Sequence, residues 1–342
     1  MILQLTTIQK ETKIMSNTTK EPIDIKKALL NNGDKNYDNI NKLLEDIPTP
    51  PWRKYKKTKE EEEKITYIAT SNELDIVKAA IYLRRPLLVT GKPGLGKSAF
   101  AKAIVKALDL GELLHWQITT ETTLKEALYS YDAVGRLQDI QLVEEKKRHE
   151  NKIESYLKLQ ALGTAFASEE KPKVLLIDEL DKSDADLPNS LLHIFEEGYF
   201  EIPELKRLKE ESKDIMTLDN KIATIPNGKV SCTHFPIVIM TSNGERDFPP
   251  AFKRRCLHIE LHSPKKEELI QIVKSNLDIT LNSDDELLEL FIDKRTKANE
   301  NMATDQLLNA VYLRAKGILA EGDLEALKSN PLLEKLFKPL VD

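Results

Sequence analysis

Residues 91 to 98 read GKPGLGKS, and no other stretch of this 342-residue chain constrains its fold so strongly. The stretch follows the apolar run PLLVT, which predicts a buried strand. It precedes SAFAKAIVKALDL, in which Phe100, Ile104 and Leu108 have helical spacing and Gly111 is the expected helix end. A G-x-x-x-x-G-K-[ST] pattern between a strand and a helix predicts a phosphate-binding loop in an α/β fold.

Each residue type in this loop has an expected contact with a nucleotide. Glycines let the backbone fold tightly enough for its N–H groups to converge on an anion, and the following helix adds the positive end of its dipole. Lys97 is expected at the terminal phosphates, and the Ser98 hydroxyl is expected at Mg²⁺. The candidate nucleotide-binding residues in the loop are Gly91, Lys92, Pro93, Gly94, Leu95, Gly96, Lys97 and Ser98.

Four further apolar runs are short enough to be buried parallel strands. They are LLHWQI, KVLLID, FPIVIMTSN and CLHIEL, and helical patterns lie between them. Strands that alternate with helices predict a parallel sheet with helices on both faces. After residue 262 the apolar runs stop, and three stretches with helical spacing predict a small all-helical domain.

Two acidic residues lie at the end of the run KVLLID. Asp178 ends it beside the phosphate loop, where a carboxylate can hold Mg²⁺ through water and so contribute to nucleotide binding. Glu179 points the other way and is a candidate to polarise the water that attacks the γ-phosphate. Asn243 ends the run FPIVIMTSN and is a candidate to orient the same water. This set predicts hydrolysis, and the lack of an Asn-Lys-x-Asp guanine-binding motif favours ATP.

Three adjacent cations, Lys253, Arg254 and Arg255, lie in the stretch FPPAFKRRC. Nucleic acid, an acidic protein and a nucleotide phosphate are all candidate partners, and the local sequence does not choose between them. A net charge of −5 and a pI near 5.9 argue against a protein that coats nucleic acid or an anionic membrane. Nucleic acid is therefore not the expected partner.

The cysteine count and the hydropathy pattern bear on the cellular location. Cys232 and Cys256 are the only cysteines, which excludes a disulfide framework. No stretch approaches the roughly eighteen apolar residues of a membrane span, and the N-terminus lacks the basic segment of a signal peptide. We therefore expect a cytoplasmic protein without a membrane partner. Residues 1 to 63 are polar, and we expect them to form a partly disordered arm or linker.

In their order and spacing these motifs resemble those of the AAA+ ATPases, and within them the bacterial MoxR-type branch. The likeness covers roughly residues 66 to 320. Besides the Walker A and Walker B motifs, it is carried by the runs DKSDADLPNSLLHIFEEGYFEIPEL and IVIMTSNGERDFPPAFKRRC. It implies a P-loop core with a five-stranded parallel sheet over residues 64 to 261 and a helical lid over residues 262 to 342. It also implies two hairpin insertions, at about residues 122 to 145 and 199 to 234.

The resemblance assigns a specific role to the three cations. In this family the active form is a ring, usually a hexamer, in which ATP and Mg²⁺ lie at a subunit boundary. Arg255, with Arg254 as the second choice, would reach the γ-phosphate bound by the neighbouring subunit. A guanidinium suits this role because its fixed fork neutralises charge on several phosphate oxygens and never deprotonates.

One position departs from the family pattern. Glu300 and Asn301 stand where the lid is expected to carry a second, cationic sensor of the nucleotide. Lys297 or Arg314 would have to substitute for it. The departure predicts that closure of the lid is only weakly coupled to ATP.

The resemblance also implies a client protein. ATPases of the MoxR type remodel or switch a partner that often carries a von Willebrand A domain, and we expect this client to be another chain. Tyr129, Tyr131 and Arg136 in the first insertion are candidates to grip it, or they simply pack the insertion. Two alternatives stay open, a nucleic-acid motor or loader and a nucleotide-gated scaffold with little turnover.

Overall fold

The computed structural model describes residues 47, 49–53, 67–142, 152–208, 211–298, 302–320 and 322–339. Most of the expected N-terminal arm lies outside the described residues, and so do Glu300 and Asn301.

Strands and helices alternate along the described ranges. The strands are β1 (Leu87–Thr90), β2 (Leu114–Gln117), β3 (Tyr129–Tyr131), β4 (Leu157–Leu159), β5 (Val174–Asp178), β6 (Tyr199–Glu201), β7 (Ser212–Met216), β8 (Ile222–Pro226), β9 (Lys229–Ser231), β10 (Ile237–Ser242) and β11 (Leu257–Glu260). The α-helices are α1 (Ser71–Leu83), α2 (Lys97–Leu108), α3 (Leu124–Leu128), α4 (Ala133–Leu142), α5 (Ala161–Phe166), α6 (Leu187–Glu197), α7 (Pro203–Lys206), α8 (Pro250–Arg255), α9 (Lys266–Leu277), α10 (Glu286–Lys297), α11 (Thr304–Ala315), α12 (Leu324–Lys328) and α13 (Pro331–Leu336). Short 3₁₀ helices cover Pro51–Arg53, Ile153–Tyr156 and Leu180–Lys182.

The central sheet contains β1, β2, β5, β10 and β11. All are parallel, in the order β11-β1-β10-β5-β2. These are the strands that the five apolar runs predicted, each within two residues of its predicted bounds. The predicted α/β P-loop fold with a five-stranded parallel sheet is confirmed.

Alternate residues of each central strand face opposite sides of the sheet. Leu87 and Val89 of β1 belong to an apolar cluster with Val77 of α1 and Phe100 of α2. Leu88 belongs to a cluster on the other face, to which α5, α6 and α8 contribute. Helices therefore cover both faces, as the alternation of elements predicted.

The helix α2 begins directly after the phosphate loop. Gly96 is its N-cap with φ 89, a left-handed conformation that glycine adopts without steric cost. The predicted end at Gly111 is wrong, because Asp109 already takes a left-handed conformation (φ 49) and ends the helix. Leu108, predicted on the buried face, lies in the last turn and is 43% exposed.

Two smaller sheets lie outside the central sheet. β6 pairs antiparallel with β9, so the two sides of the second insertion meet. β3, β4, β7 and β8 form a sheet in that order, which joins the two insertions. The strands β7 and β8 were not predicted from the sequence, because each has at most two buried residues and hence a weak apolar pattern. The insertion bounds stay a prediction.

The C-terminal helices α9 to α13 pack around an apolar cluster of their own. Leu269, Phe291 and Leu307 are fully buried in it. Trp52 of the first 3₁₀ helix packs against the same cluster, with its ring centroid 5.8 Å from that of Tyr312. Strands end at β11 among the described residues, and a core–lid boundary near residue 262 stays a prediction. None of the described helices is long and apolar enough to cross a membrane.

Candidate functional site

Three predicted motifs meet at one edge of the central sheet. The phosphate loop follows β1, Asp178 ends β5, and Asn243 follows β10. β10 lies between β1 and β5, so the three segments are neighbours. Parallel strands bring their carboxyl ends to the same edge of a sheet, where ligands of open α/β folds bind.

The phosphate loop packs against both its own lysine and the lid. Gly94 has φ +78, and a Cβ there would lie 2.1 Å from the Cβ of Ala303, the N-cap of α11. The buried Lys97 donates hydrogen bonds from Nζ to the carbonyl oxygens of Gly91 at 2.6 Å and Lys92 at 3.0 Å. Pro93 is exposed at the tip of the loop. Lys97 would exchange these carbonyls for phosphate oxygens when a nucleotide binds.

Asp178 is the centre of a hydrogen-bond network. Its carboxylate accepts from Ser98 Oγ at 3.0 Å and from Thr241 Oγ1 at 2.5 Å, and His115 Nε2 lies 3.3 Å away. Burial would raise the pKa of Asp178, but the hydrogen bonds from His115, Thr241 and Ser98 outweigh burial and lower the pKa below its ordinary value. An ionised carboxylate thus lies in contact with a hydroxyl, and such oxygen ligands suit Mg²⁺.

Glu179 turns away from Asp178 because its backbone is left-handed. Its φ is 61, and its N–H donates to Thr241 Oγ1 at 2.8 Å. Its Oε2 accepts hydrogen bonds from Gln117 Nε2 at 2.7 Å and from Lys182 Nζ at 2.9 Å. The carboxylate is therefore held by two donors through this one oxygen.

Asn243 opens a turn that is bound to the acidic segment after β5. The N–H groups of Asn243 and Glu245 donate to Asp181 Oδ2 at 2.8 and 3.1 Å. The Asn243 side chain is partly exposed, and its Nδ2 lies 3.4 Å from Glu245 Oε1. Asp181 was not predicted from the sequence, because DELD contains three acidic residues and only contacts distinguish the third from the others.

A cavity of about 570 Å³ lies between the phosphate loop and the lid. Small-molecule sites have volumes of roughly 300 to 1,000 Å³. The core lines it with Tyr67, Ile76, Leu95, Gly96, Ala99 and Ile259, and the lid lines it with Lys265, Ile272, Asn276, Thr304, Asp305 and Leu308. Apolar walls beside a phosphate loop can hold the base and sugar of a nucleotide.

The three cations of FPPAFKRRC have different surroundings. Lys253 forms an exposed ion pair with Asp247. Arg255, the first choice for a trans-acting arginine, forms an ion pair with Glu196 on α6. Arg254 is exposed, and its guanidinium has no polar partner among the residues that the structure describes.

Arg85, which sequence analysis did not single out, fixes the end of α8. It donates to the backbone oxygens of Arg254 at 2.6 Å and Arg255 at 3.2 Å. Both carbonyls are near a helix C-terminus, where unpaired acceptors favour a cation. The direction in which α8 presents its cations is thus tied to the turn before β1.

Neither expected substitute for the second sensor lies at the cavity. Lys297 pairs with Asp293, and Arg314 donates to both carboxylate oxygens of Asp285 at 3.0 and 2.7 Å. Each cation is paired within the lid itself, and the identity of the second sensor stays a prediction. Lys265 is a lid cation that does line the cavity.

The family model of the AAA domain (dynein-related subfamily) matches residues 86–256, half of the chain. A protein assigned as an ATPase from Cytophaga hutchinsonii is similar in structure, with 14% identity, a TM-score of 0.39, and 78% of this chain and 82% of that chain covered. Domain III of the replication initiation protein DnaA from Thermotoga maritima has 17% identity and a TM-score of 0.38, with 81% of this chain and 97% of that chain covered. A search of curated proteins found no match.

Proposed function

We propose that this chain, which belongs to the AAA family in its dynein-related subfamily, is a MoxR-type ATPase that remodels or switches a partner protein. ATP hydrolysis is the general activity of AAA domains. The proposal adds a requirement for Mg²⁺, a cytoplasmic ring of like subunits, an active site completed between subunits, and a protein client supplied by another chain, with a von Willebrand A domain as one candidate.

The contact between Ser98 and Asp178 is the observation that carries the proposal. It joins the helix after the phosphate loop to the end of β5, with a hydroxyl 3.0 Å from an ionised carboxylate. These are the two protein groups that hold Mg²⁺ in P-loop ATPases, and Asp178 would act through water. When bound, Mg²⁺ would neutralise charge on the phosphate oxygens.

Glu179 and Asn243 support the hydrolytic step. The Glu179 carboxylate would leave Gln117 and Lys182 and accept a proton from the attacking water. The Asn243 amide is partly exposed at the end of β10, the strand directly beside the one that carries the phosphate loop, so that a small rotation can orient the same water. Lys97 would hold the terminal phosphates in place of the loop carbonyls.

The surroundings of the α8 arginines change which of the two is proposed to act on the neighbouring subunit. The ion pair with Glu196 restrains Arg255, whereas Arg254 is exposed. These surroundings support Arg254 as the residue that reaches the neighbouring γ-phosphate, with Arg255 in second place. An arginine in this role accelerates hydrolysis by roughly 10³ to 10⁵.

Exposed apolar side chains on the insertions support a protein client. Met216 of β7 and its cross-strand partner Ile222 of β8 are 41% and 68% exposed. Val134 and Leu137, one turn apart on α4, are 67% and 56% exposed. Apolar surface of this kind marks protein contacts. Tyr129 is buried and its hydroxyl is hydrogen-bonded to the second insertion, so it packs the insertion and does not grip a client.

Replacement of the proposed base tests the function. The Glu179→Gln variant should bind ATP as the wild type does but release phosphate at least 100-fold more slowly, on the order of a general base contribution. Glu197→Gln, an exposed change on α6, is the matched control and should hydrolyse normally. With ATP retained, Glu179→Gln should also hold rings and client together for imaging and identification of co-purified proteins.

Other outcomes of the same measurements would contradict the proposal. Near-zero phosphate release by both the wild type and Glu179→Gln would contradict an ATPase and favour the nucleotide-gated scaffold. Hydrolysis that duplex DNA stimulates, with steep loss of stimulation in salt, would favour a nucleic-acid motor.

Mixed rings test the contact between subunits. Glu179→Gln subunits keep both arginines, and Arg254→Ala subunits keep Glu179, so a mixture should recover activity that neither variant has alone. Recovery would arise at boundaries where an intact arginine meets an intact base. A mixture that stays as inactive as its components would contradict a site shared between subunits.

A further inference from the structure

We propose that Asp181 is a positioning residue for hydrolysis, because its buried carboxylate holds the turn that carries Asn243 against the turn that carries Glu179. The proposal rests on the ATPase function proposed above. It concerns a residue that does not touch the nucleotide and would act through the Asn243 side chain.

The carboxylate holds the backbone of the turn after β10. Asp181 is 5% exposed, and its Oδ2 accepts the N–H groups of Asn243 at 2.8 Å and Glu245 at 3.1 Å. The N–H of Gly244, which lies between them with φ +83, donates to Ser242 Oγ at 3.0 Å. Three successive N–H groups are therefore bound, and the turn has little freedom to move Asn243 without moving Asp181.

A second set of hydrogen bonds joins the same two turns. Arg246 donates from Nη1 to the carbonyl oxygen of Ser183 at 2.6 Å and from Nη2 to that of Asp184 at 3.0 Å. The Asp181 side chain extends from the segment after β5 to the turn after β10. The Arg246 side chain extends from that turn to the segment after β5. The two turns are thus tied in both directions, so a displacement of Glu179 is passed to Asn243.

Burial of a charge costs free energy, so the buried Asp181 carboxylate depends on the hydrogen bonds that it accepts. Asp181 Oδ1 is buried and has no hydrogen-bond partner among the described residues. The N–H groups of Asn243 and Glu245 at Oδ2 are therefore the hydrogen bonds that hold this carboxylate, and through them it holds the β10 turn.

Removal of the carboxylate tests the proposal. Asp181→Ala should lower kcat about 10- to 100-fold, because a small misplacement of a catalytic group has effects of this size. The affinity for a fluorescent ATP analogue should change less than threefold. Asp181→Asn should keep kcat within about fivefold of the wild type, since its amide oxygen can accept both N–H groups. Asp186→Asn, an exposed acid in the same loop, is the matched control and should change neither quantity.

A double-mutant cycle with Asn243→Ala separates positioning from a general structural role. If Asp181 acts through Asn243, Asp181→Ala should cost less than threefold in kcat when Asn243 is already alanine. The same loss in both backgrounds would overturn the proposal, and so would an Asp181→Asn variant as slow as Asp181→Ala. If Asp181→Ala does not fold, Asp181→Ser takes its place in the cycle. A wild type that releases no phosphate would instead overturn the ATPase function itself.

Discussion

At the scale of single residues, Gly94 and Gly111 have nearly the same backbone conformation, with φ +78 and +80. Their surroundings differ, because a Cβ on Gly94 would collide with Ala303 of the lid and a Cβ on Gly111 would meet nothing within 4 Å. The pair therefore separates backbone strain from contact between the phosphate loop and the lid.

We expect Gly94→Ala to lose ATP binding, and Gly111→Ala to keep it. Both substitutions carry the left-handed strain, which is worth roughly 1 to 2 kcal/mol of stability. Only Gly94→Ala must also displace the start of α11, which lines the cavity. Titration with a fluorescent ATP analogue and thermal unfolding measure the two effects. Equal affinities in the two variants would show that the lid contact does not matter for binding.

A second residue-scale prediction concerns Gln117, which holds Glu179 away from the phosphate loop. Gln117→Ala removes one of the two donors to that carboxylate and should raise basal phosphate release about two- to fivefold, since an intramolecular hydrogen bond contributes roughly 1 kcal/mol. Gln138→Ala on the exposed face of α4 is the control. A fall in kcat would mean that Gln117 instead orients Glu179 for the reaction.

At the scale of elements, a buried ion pair ties the β7–β8 hairpin to the central sheet. Lys173, the residue before β5, lies 2.8 Å from Asp219 in the hairpin turn, and the two side chains are only 11% and 9% exposed. Burial would raise the pKa of Asp219, but Lys173 and Thr217 outweigh burial and lower the pKa below its ordinary value. The carboxylate therefore stabilises the fold above its unfolded pKa and loses that contribution as pH falls through the lower folded pKa.

Asp219→Asn should destabilise the folded chain by roughly 3 to 5 kcal/mol at pH 7, because it leaves Lys173 buried without its counter-charge. The difference from wild type should shrink below about pH 4, where Asp219 of the unfolded chain begins to protonate while the folded carboxylate is still ionised. Urea unfolding at both pH values measures it. The exposed pair of Asp293 and Lys297 supplies the control, and Asp293→Asn should cost about 0.5 kcal/mol or less. A loss at pH 7 no larger than this control would contradict a structural role for the buried pair.

At the scale of the whole molecule, an active site shared between subunits makes activity depend on assembly. The phosphate rate per subunit should rise with protein concentration until rings are complete. Arg254→Ala should stay at least about 100-fold slower at every concentration while it still binds ATP. Lys253→Ala, which breaks only an exposed ion pair, should resemble the wild type. A rate per subunit that does not depend on concentration, under conditions where the chain is monomeric, would contradict the shared site.

Local patterns determined much of this protein. A strand buries alternate residues on each face whatever its partners are, so five apolar runs were enough to predict the central sheet and its helical layers. The residue types of GKPGLGKS and of the DE pair after KVLLID were also informative, because backbone freedom, a cation and carboxylates are local requirements of phosphate and metal binding. The strands β7 and β8 and the end of α2 at Asp109 were not predicted from the sequence. The two strands have only a weak apolar pattern, and the end of α2 does not depend on an apolar period.

Only the tertiary structure decided which side chains meet. Asn243 and Asp181 are 62 residues apart in the chain, and their contact exists because β10 and β5 are neighbours in the sheet. The pairing of Arg255 with Glu196 and the approach of Gly94 to Ala303 depend on how α8, α6 and the lid are packed. Composition and spacing specify what a residue can do, but its partner is set by distances that arise from the packing of the whole chain.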